Sequence, residues 1–178
     1  MRKNDFEEGV QATSFGRPLP FPTILYGGLL VGIFDLLFAF TFYALILGVP
    51  ALRIFQGVAA GVIGRTTARE GGVKTFLLGI LLHFVVATCI AAVYFLAVRL
   101  MPVLIRYAVV SGLIYGMVAY LGMKYIVVPL SAIGQSGALP RLPIFLTEII
   151  GHAVLVGLPL GLLMRRSARA NAARPVQS

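Results

Sequence analysis

The chain has one cysteine, two histidines and six acidic residues among 178, and each shortage closes off some chemistry. One cysteine cannot form an internal disulfide, and Cys89 sits inside a long apolar run, where it reads as a small packing residue rather than a redox centre. Neither Gly-x-Ser-x-Gly nor His-Glu-x-x-His occurs, and Ser111 and Ser131 have no base at a motif spacing. No motif therefore points to hydrolysis or acyl transfer, and the expectation is a protein that is not an enzyme. Long hydrophilic stretches are missing too. The largest cover residues 1–23, 65–74 and 165–178, and none can bury a core of its own.

What the chain has instead is apolar surface. Apolar residues make up 59% of it and charged residues 12%, and its mean hydropathy of +0.95 lies outside the soluble range. Four long runs carry most of this: Ile24–Gly48, Thr75–Leu100, Tyr107–Val128 and Leu142–Met164. A helix needs roughly 20 apolar residues to cross the hydrocarbon core. Backbone amides find no water there, so a spanning segment must satisfy them internally, as a helix does. Asp5, Glu7 and Glu8 break up the basic start of a signal peptide, and the first run is too long for one, so it is expected to be kept as a span. The predicted fold is an all-α, polytopic four-helix bundle.

The net charge of +9 does not mark a nucleic-acid surface, because the bases are scattered over loop ends rather than gathered on one face. They read as topology signals. Four spans put both termini and the Arg99–Arg106 turn on one side, with Arg2, Lys3, Arg17, Arg99, Arg106, Arg165, Arg166, Arg169 and Arg174. Arg53, Arg65, Arg69, Lys74, Lys124 and Arg141 fall on the other, so nine bases against six place the termini in the cytoplasm. The basic tail 165–178 is suited to anionic lipid, at about 1 kcal/mol per basic residue near the surface. Other expected partners are the bilayer itself and a second copy or a larger membrane complex.

Arg17–Pro22 reads as an extended lead-in with three prolines. Residues 51–64 are apolar but too short to span, and are expected to lie on or dip into the membrane. Pro102 marks a tight hairpin between the second and third spans, and residues 131–143, rich in Gly, Ser and Pro, form the other external loop. Tyr26, Tyr107 and Tyr125 sit at span ends as interface anchors. Small-xxx-small pairs recur at Gly28/Gly32, Gly57/Gly61, Gly112/Gly116 and Gly157/Gly161, a spacing that lets helix backbones approach closely in lipid. A faint echo links the halves: a glycine pair in spans one and three, a proline after each (Pro50, Pro129), and a histidine in the span that follows (His83, His152).

Ionisable residues within spans are costly to insert, and each is a functional candidate. They are Asp35, His83, Glu148 and His152. At 1.5 Å rise per residue, His83 and His152 lie roughly 14 and 15 Å in from the same face, with Asp35 somewhat deeper at roughly 20 Å. Glu148 precedes His152 by four residues, on the same helix face. Lys124, near a span end, reads as a snorkelling side chain.

Three readings compete for this group. One is a structural or proton-sensing polar network. Another is a cofactor site, with His83 and His152 as paired haem ligands, or joined by Glu148 or Asp35 around a divalent metal. The third is a proton or cation relay in a homo-oligomer.

Two stretches resemble the YagU-like family of small bacterial inner-membrane proteins: His83-Phe-Val-Val through Val93-Tyr94 to Met101-Pro102, and Glu148-Ile-Ile-Gly-His152 running into Arg165-Arg166. The likeness covers the second to fourth spans. The family's proline-rich stretch after the first span has no counterpart in residues 49–73, and Asp35 has none in the family. The resemblance implies a location and a topology rather than a reaction, and favours His83, Glu148 and His152 as positions to test.

Overall fold

A computed structural model describes residues 19–134 and 141–173. Arg2, Lys3, Arg17, Arg174, the acids Asp5, Glu7 and Glu8, and residues 135–140 of the second external loop lie outside them. The described residues are helical, with no strand among them, and four helices are long and apolar enough to cross a membrane. These are α1 (Pro22–Ile46), α4 (Gly72–Leu100), α6 (Ala108–Leu130) and α7 (Leu142–Ala172). Between the first two lie α2 (Ala51–Ile63) and the short α3 (Arg65–Glu70), and a single turn, α5 (Val103–Arg106), follows α4. The chain is thus an all-α bundle.

The boundaries follow local chemistry. Gly48 (φ 67°) ends α1 in a left-handed turn, and Pro50 then fixes the entry to α2. Gly64 (φ 80°) does the same between α2 and α3. Pro102 opens α5 and separates α4 from α6. The fourth helix runs beyond the expected end at Met164 to Ala172, because Arg165, Arg166 and Arg169 are good helix formers and sit at its negative end.

Large apolar residues such as Leu25, Leu29, Leu81, Val85 and Val118 point outward and are exposed, as lipid-facing positions should be. Cys89 also faces outward, which corrects the packing role expected of it. The interior is built from Val31, Ala87, Ala91, Tyr94, Leu160 and Met164, all buried. Tyr26, Tyr107 and Tyr125 are exposed at helix ends.

Glycine governs the helix crossings. A Cβ on Gly28 would meet Thr88 and one on Gly32 would meet the Phe84 ring, so α1 lies directly on α4. A Cβ on Gly112 would stand 2.5 Å from the Gly157 carbonyl oxygen, one on Gly116 2.3 Å from that of His152, and one on Gly161 2.2 Å from that of Ala108. The backbones of α6 and α7 therefore touch along two turns. Gly57 and Gly61 do not pack this way: nothing lies within 4 Å of a Cβ on Gly57, and only Ser131 approaches one on Gly61.

The short α2 folds back along the start of α4, with Phe55 over Gly79. Polar contacts pin it there. Gln56, buried at 2% exposure, donates to the Gly72 carbonyl (3.1 Å) and to Thr75 Oγ1 (3.3 Å), and Thr75 donates to the Ala68 carbonyl at 2.7 Å. These bonds satisfy the Ala68 carbonyl near the end of α3 and tie α2 to Gly72 at the start of α4. A Cβ on Gly79 would lie 1.9 Å from the Phe55 carbonyl oxygen. Gly79→Ala is therefore expected to push α2 off α4 and cost about 1–3 kcal/mol, read as a lower melting temperature in detergent.

Candidate functional site

Three spanning helices each contain a wider π-helical stretch: Phe40–Ile46 in α1, Met123–Val127 in α6 and Ala153–Gly157 in α7. Two have a clear cause. A proline ring clashes with the carbonyl four residues before it, and for Pro129 and Pro159 that residue is Tyr125 and Leu155, each inside a π stretch. In α1 the widened turns run directly into Gly48. Such turns often mark functional positions, and here each lies beside an ionisable residue: Tyr43, Lys124 and, one residue before its stretch, His152.

Asp35 stands between the two histidines. Its Oδ1 is 3.5 Å from His152 Nε2 and its Oδ2 is 3.9 Å from His83 Nδ1. Both rings are anchored through their other nitrogen. His83 Nε2 donates to the Gly32 carbonyl at 2.9 Å, and His152 Nδ1 to the Glu148 backbone carbonyl at 2.8 Å. A carbonyl only accepts, so these nitrogens carry the hydrogen and fix the tautomer of each neutral ring. In neutral rings the nitrogens turned toward Asp35 then present lone pairs. Gly32 also lets α4 approach at this level, since a Cβ there would meet the ring of Phe84, the neighbour of His83. Phe38, Phe55 and Phe84 pack edge-on against the two rings.

Glu148 belongs to a second group. Its carboxylate, 8% exposed as a residue, accepts from the Tyr43 hydroxyl, from the Tyr120 hydroxyl at 2.5 Å and from Lys124 Nζ at 3.2 Å. Lys124 also donates to the Tyr120 oxygen at 2.9 Å and lies 5.2 Å from the Tyr120 ring centre. This corrects two expectations. Lys124 does not snorkel but turns inward, because a buried carboxylate draws it there. Glu148 does not join Asp35 either. It lies one turn nearer the loop side, where Tyr43 and Tyr120 compete for it, and its link to His152 runs through the backbone carbonyl rather than the side chain.

The four residues picked out by cost of insertion thus form two adjoining centres, Asp35/His83/His152 and Glu148/Lys124/Tyr43/Tyr120, joined where the Tyr120 and His152 rings approach within 5.1 Å. The π stretches carry Tyr43 and Lys124 into the second centre, and regular helical spacing gave no sign of them.

A cavity of about 540 Å³, mostly apolar, runs from Arg53, Ser131 and Ile133 down to Tyr43, Asp35 and His83. A smaller space of about 180 Å³ lies deeper, between Asp35, His83 and His152. Val31, Ala87 and Val156 line the smaller one, and Ala91, Tyr94 and Leu160 are buried in the same core. Among the described residues no three His, Cys, Asp or Glu side chains are placed to hold a metal ion. Asp35 stands between the two ring nitrogens, where paired haem ligation would place the iron.

No known family, curated protein or solved structure matches this chain.

Proposed function

We propose that this is a non-enzymatic, proton-responsive integral membrane protein in which Asp35, His83 and His152 share a proton inside the bundle. One observation carries the reading. Each ring nitrogen facing Asp35 is the one left without a hydrogen when the other nitrogen serves a backbone carbonyl. An ionised carboxylate beside two lone pairs is repelled by both. One proton, on either ring or on the acid, turns that repulsion into attraction. The neighbouring Glu148–Lys124 pair balances its own charge, leaving the triad as the centre with a charge to settle. Sensing fits better than passage. The cavity reaches Asp35 from the side of α2, while Val31, Ala91, Tyr94 and Leu160 close the interior beyond it.

The location that goes with this reading is a bacterial cytoplasmic membrane with both termini in the cytoplasm. The nine-to-six distribution of bases and the YagU-like residues His83, Glu148 and His152 support it. Arg165, Arg166 and Arg169 lie in the last part of α7, which runs eight residues beyond Met164, in position to meet anionic headgroups. A second copy or a larger complex would cover part of the exposed apolar surface of the bundle.

Histidine-labelled protein tests the central claim. Nitrogen NMR in micelles is expected to show His83 protonated at Nε2 and His152 at Nδ1. The melting temperature of the wild type is expected to change with pH, and that of Asp35→Asn, which keeps the shape but cannot ionise, to change much less. Equal pH profiles for the two proteins refute the shared proton.

A further inference from the structure

At the loop end of the bundle, a pocket of about 580 Å³ is lined by Arg53, Arg65 and Arg69 together with Gln56, Gly57 and Ile133. No carboxylate lies within ion-pair distance of the three guanidinium groups among the described residues. Arg53 is held in place: its Nη1 donates to Gln56 Oε1 at 2.9 Å and to the Arg69 carbonyl at 3.2 Å. Gln56 is in turn buried and bonded to Gly72 and Thr75. The charge at the pocket mouth is therefore fixed on a rigid element.

This basic pocket and the apolar cavity share a border. Arg53, Gly57 and Ile133 line both. Gly57 is the open point between them, since a Cβ there would meet nothing within 4 Å. Below the border the walls are Leu36, Ile54, Val58, Leu82, Val86 and Val127, and the space continues toward Asp35. An uncompensated triple-arginine mouth over a cavity of about 540 Å³ with mainly aliphatic walls matches one kind of molecule. It has an anionic head and a hydrocarbon tail.

We propose that the protein binds an anionic phospholipid here, with the phosphate held by Arg53, Arg65 and Arg69 and an acyl chain lying in the cavity beneath Gly57. Guanidinium groups bind phosphate through paired N–H donors. The chain supplies affinity by leaving the bulk bilayer for a lined cavity, while the head supplies selectivity. The site lies at the end of the bundle opposite the start of α1, apart from Arg165, Arg166 and Arg169 of α7. This inference does not depend on the shared proton: a lipid can occupy the cavity whatever the protonation of Asp35.

Delipidated full-length protein in a neutral detergent would be titrated with phosphatidylglycerol, phosphatidylcholine and inorganic phosphate, with bound species counted by native mass spectrometry. Phosphatidylglycerol is expected to bind at least tenfold more tightly than phosphatidylcholine, and phosphate alone to bind weakly. R65Q/R69Q, which leaves Arg53 and its bonds to Gln56 intact, is expected to abolish the preference. Gly57→Leu places a side chain at the border, where its Cβ meets nothing within 4 Å, and is expected to weaken phosphatidylglycerol at least tenfold while leaving the lipid-free melting temperature unchanged or raised. Equal binding of the two lipids overturns the headgroup assignment. Phosphate binding as tightly as the lipid, or unaltered lipid binding in Gly57→Leu, overturns the chain assignment. Retention of the preference in R65Q/R69Q moves the lipid elsewhere and overturns the site. The pH profile of Asp35→Asn reads the proton reading separately.

Discussion

Glu148→Ala is expected to destabilise the protein by about 3 kcal/mol, measured as a shift in SDS-induced unfolding from mixed micelles. The carboxylate accepts from two tyrosine hydroxyls and from Lys124, so its removal leaves a half-buried cation and two hydroxyls without their acceptor. Leaving one member of a buried pair behind costs more than losing both. Lys124 tempers the loss, because its long stem lets the ammonium swing toward the surface. Lys124→Met alone is expected to cost less, about 1 kcal/mol, since Glu148 keeps both tyrosines. The double variant Glu148→Ala/Lys124→Met separates the ion pair from mere packing. It is expected to be more stable than Glu148→Ala, because no unpaired charge remains. A double variant that loses as much as the sum of the single changes would show that the two groups are energetically independent.

The fold was legible because its causes are written in composition. Run length and hydropathy locate three of the four spans to within a few residues and the start of the fourth, which runs eight residues past its expected end, and Pro50, Pro102 and the short run 51–64 locate the breaks. Half of the site was legible on the same grounds. Asp35, His83 and His152 stand out as costly residues, and a rise of 1.5 Å per residue suffices to place them near one level. What was hidden depends on helix phase. Spacing arguments assume 3.6 residues per turn, and π stretches in α1, α6 and α7 break that assumption beside the site. Tyr43 and Tyr120 carry no charge at neutral pH, so insertion cost did not flag them. Lys124 near a span end has the surface as its default, and only the position of Glu148 on another helix reverses it. Pro129 and Pro159 were the available signal, since an interior proline must disturb the turn before it. The arginine pocket was hidden for a different reason: Arg53 and Arg69 meet only because α2 and α3 fold back together on α4.

The glycine crossing of α6 and α7 sets the position of His152 and yields the other large effect. Gly157→Leu is expected to cost more than about 3 kcal/mol and to leave little folded protein in mild detergent, read by size-exclusion chromatography and thermal unfolding. A Cβ at this position would stand 2.0 Å from the Gly112 carbonyl oxygen and 2.6 Å from the Gly116 nitrogen. Those atoms are backbone, so no rotamer change relieves the collision and the helices must separate. Separation also pulls the His152 carbonyl off Gly116, one turn away, and with it the ring that faces Asp35. Gly122→Leu on the same α6 helix is the control. Nothing lies within 4 Å of a Cβ there, and the change should be near neutral, within about 0.5 kcal/mol. Gly157→Ala grades the effect, because a single methyl group already meets both backbone atoms. A series in which all three variants unfold alike would mean that the glycines serve α6 flexibility rather than the contact between backbones. An intact Gly157→Leu protein would mean that α6 and α7 do not cross where the structure places them.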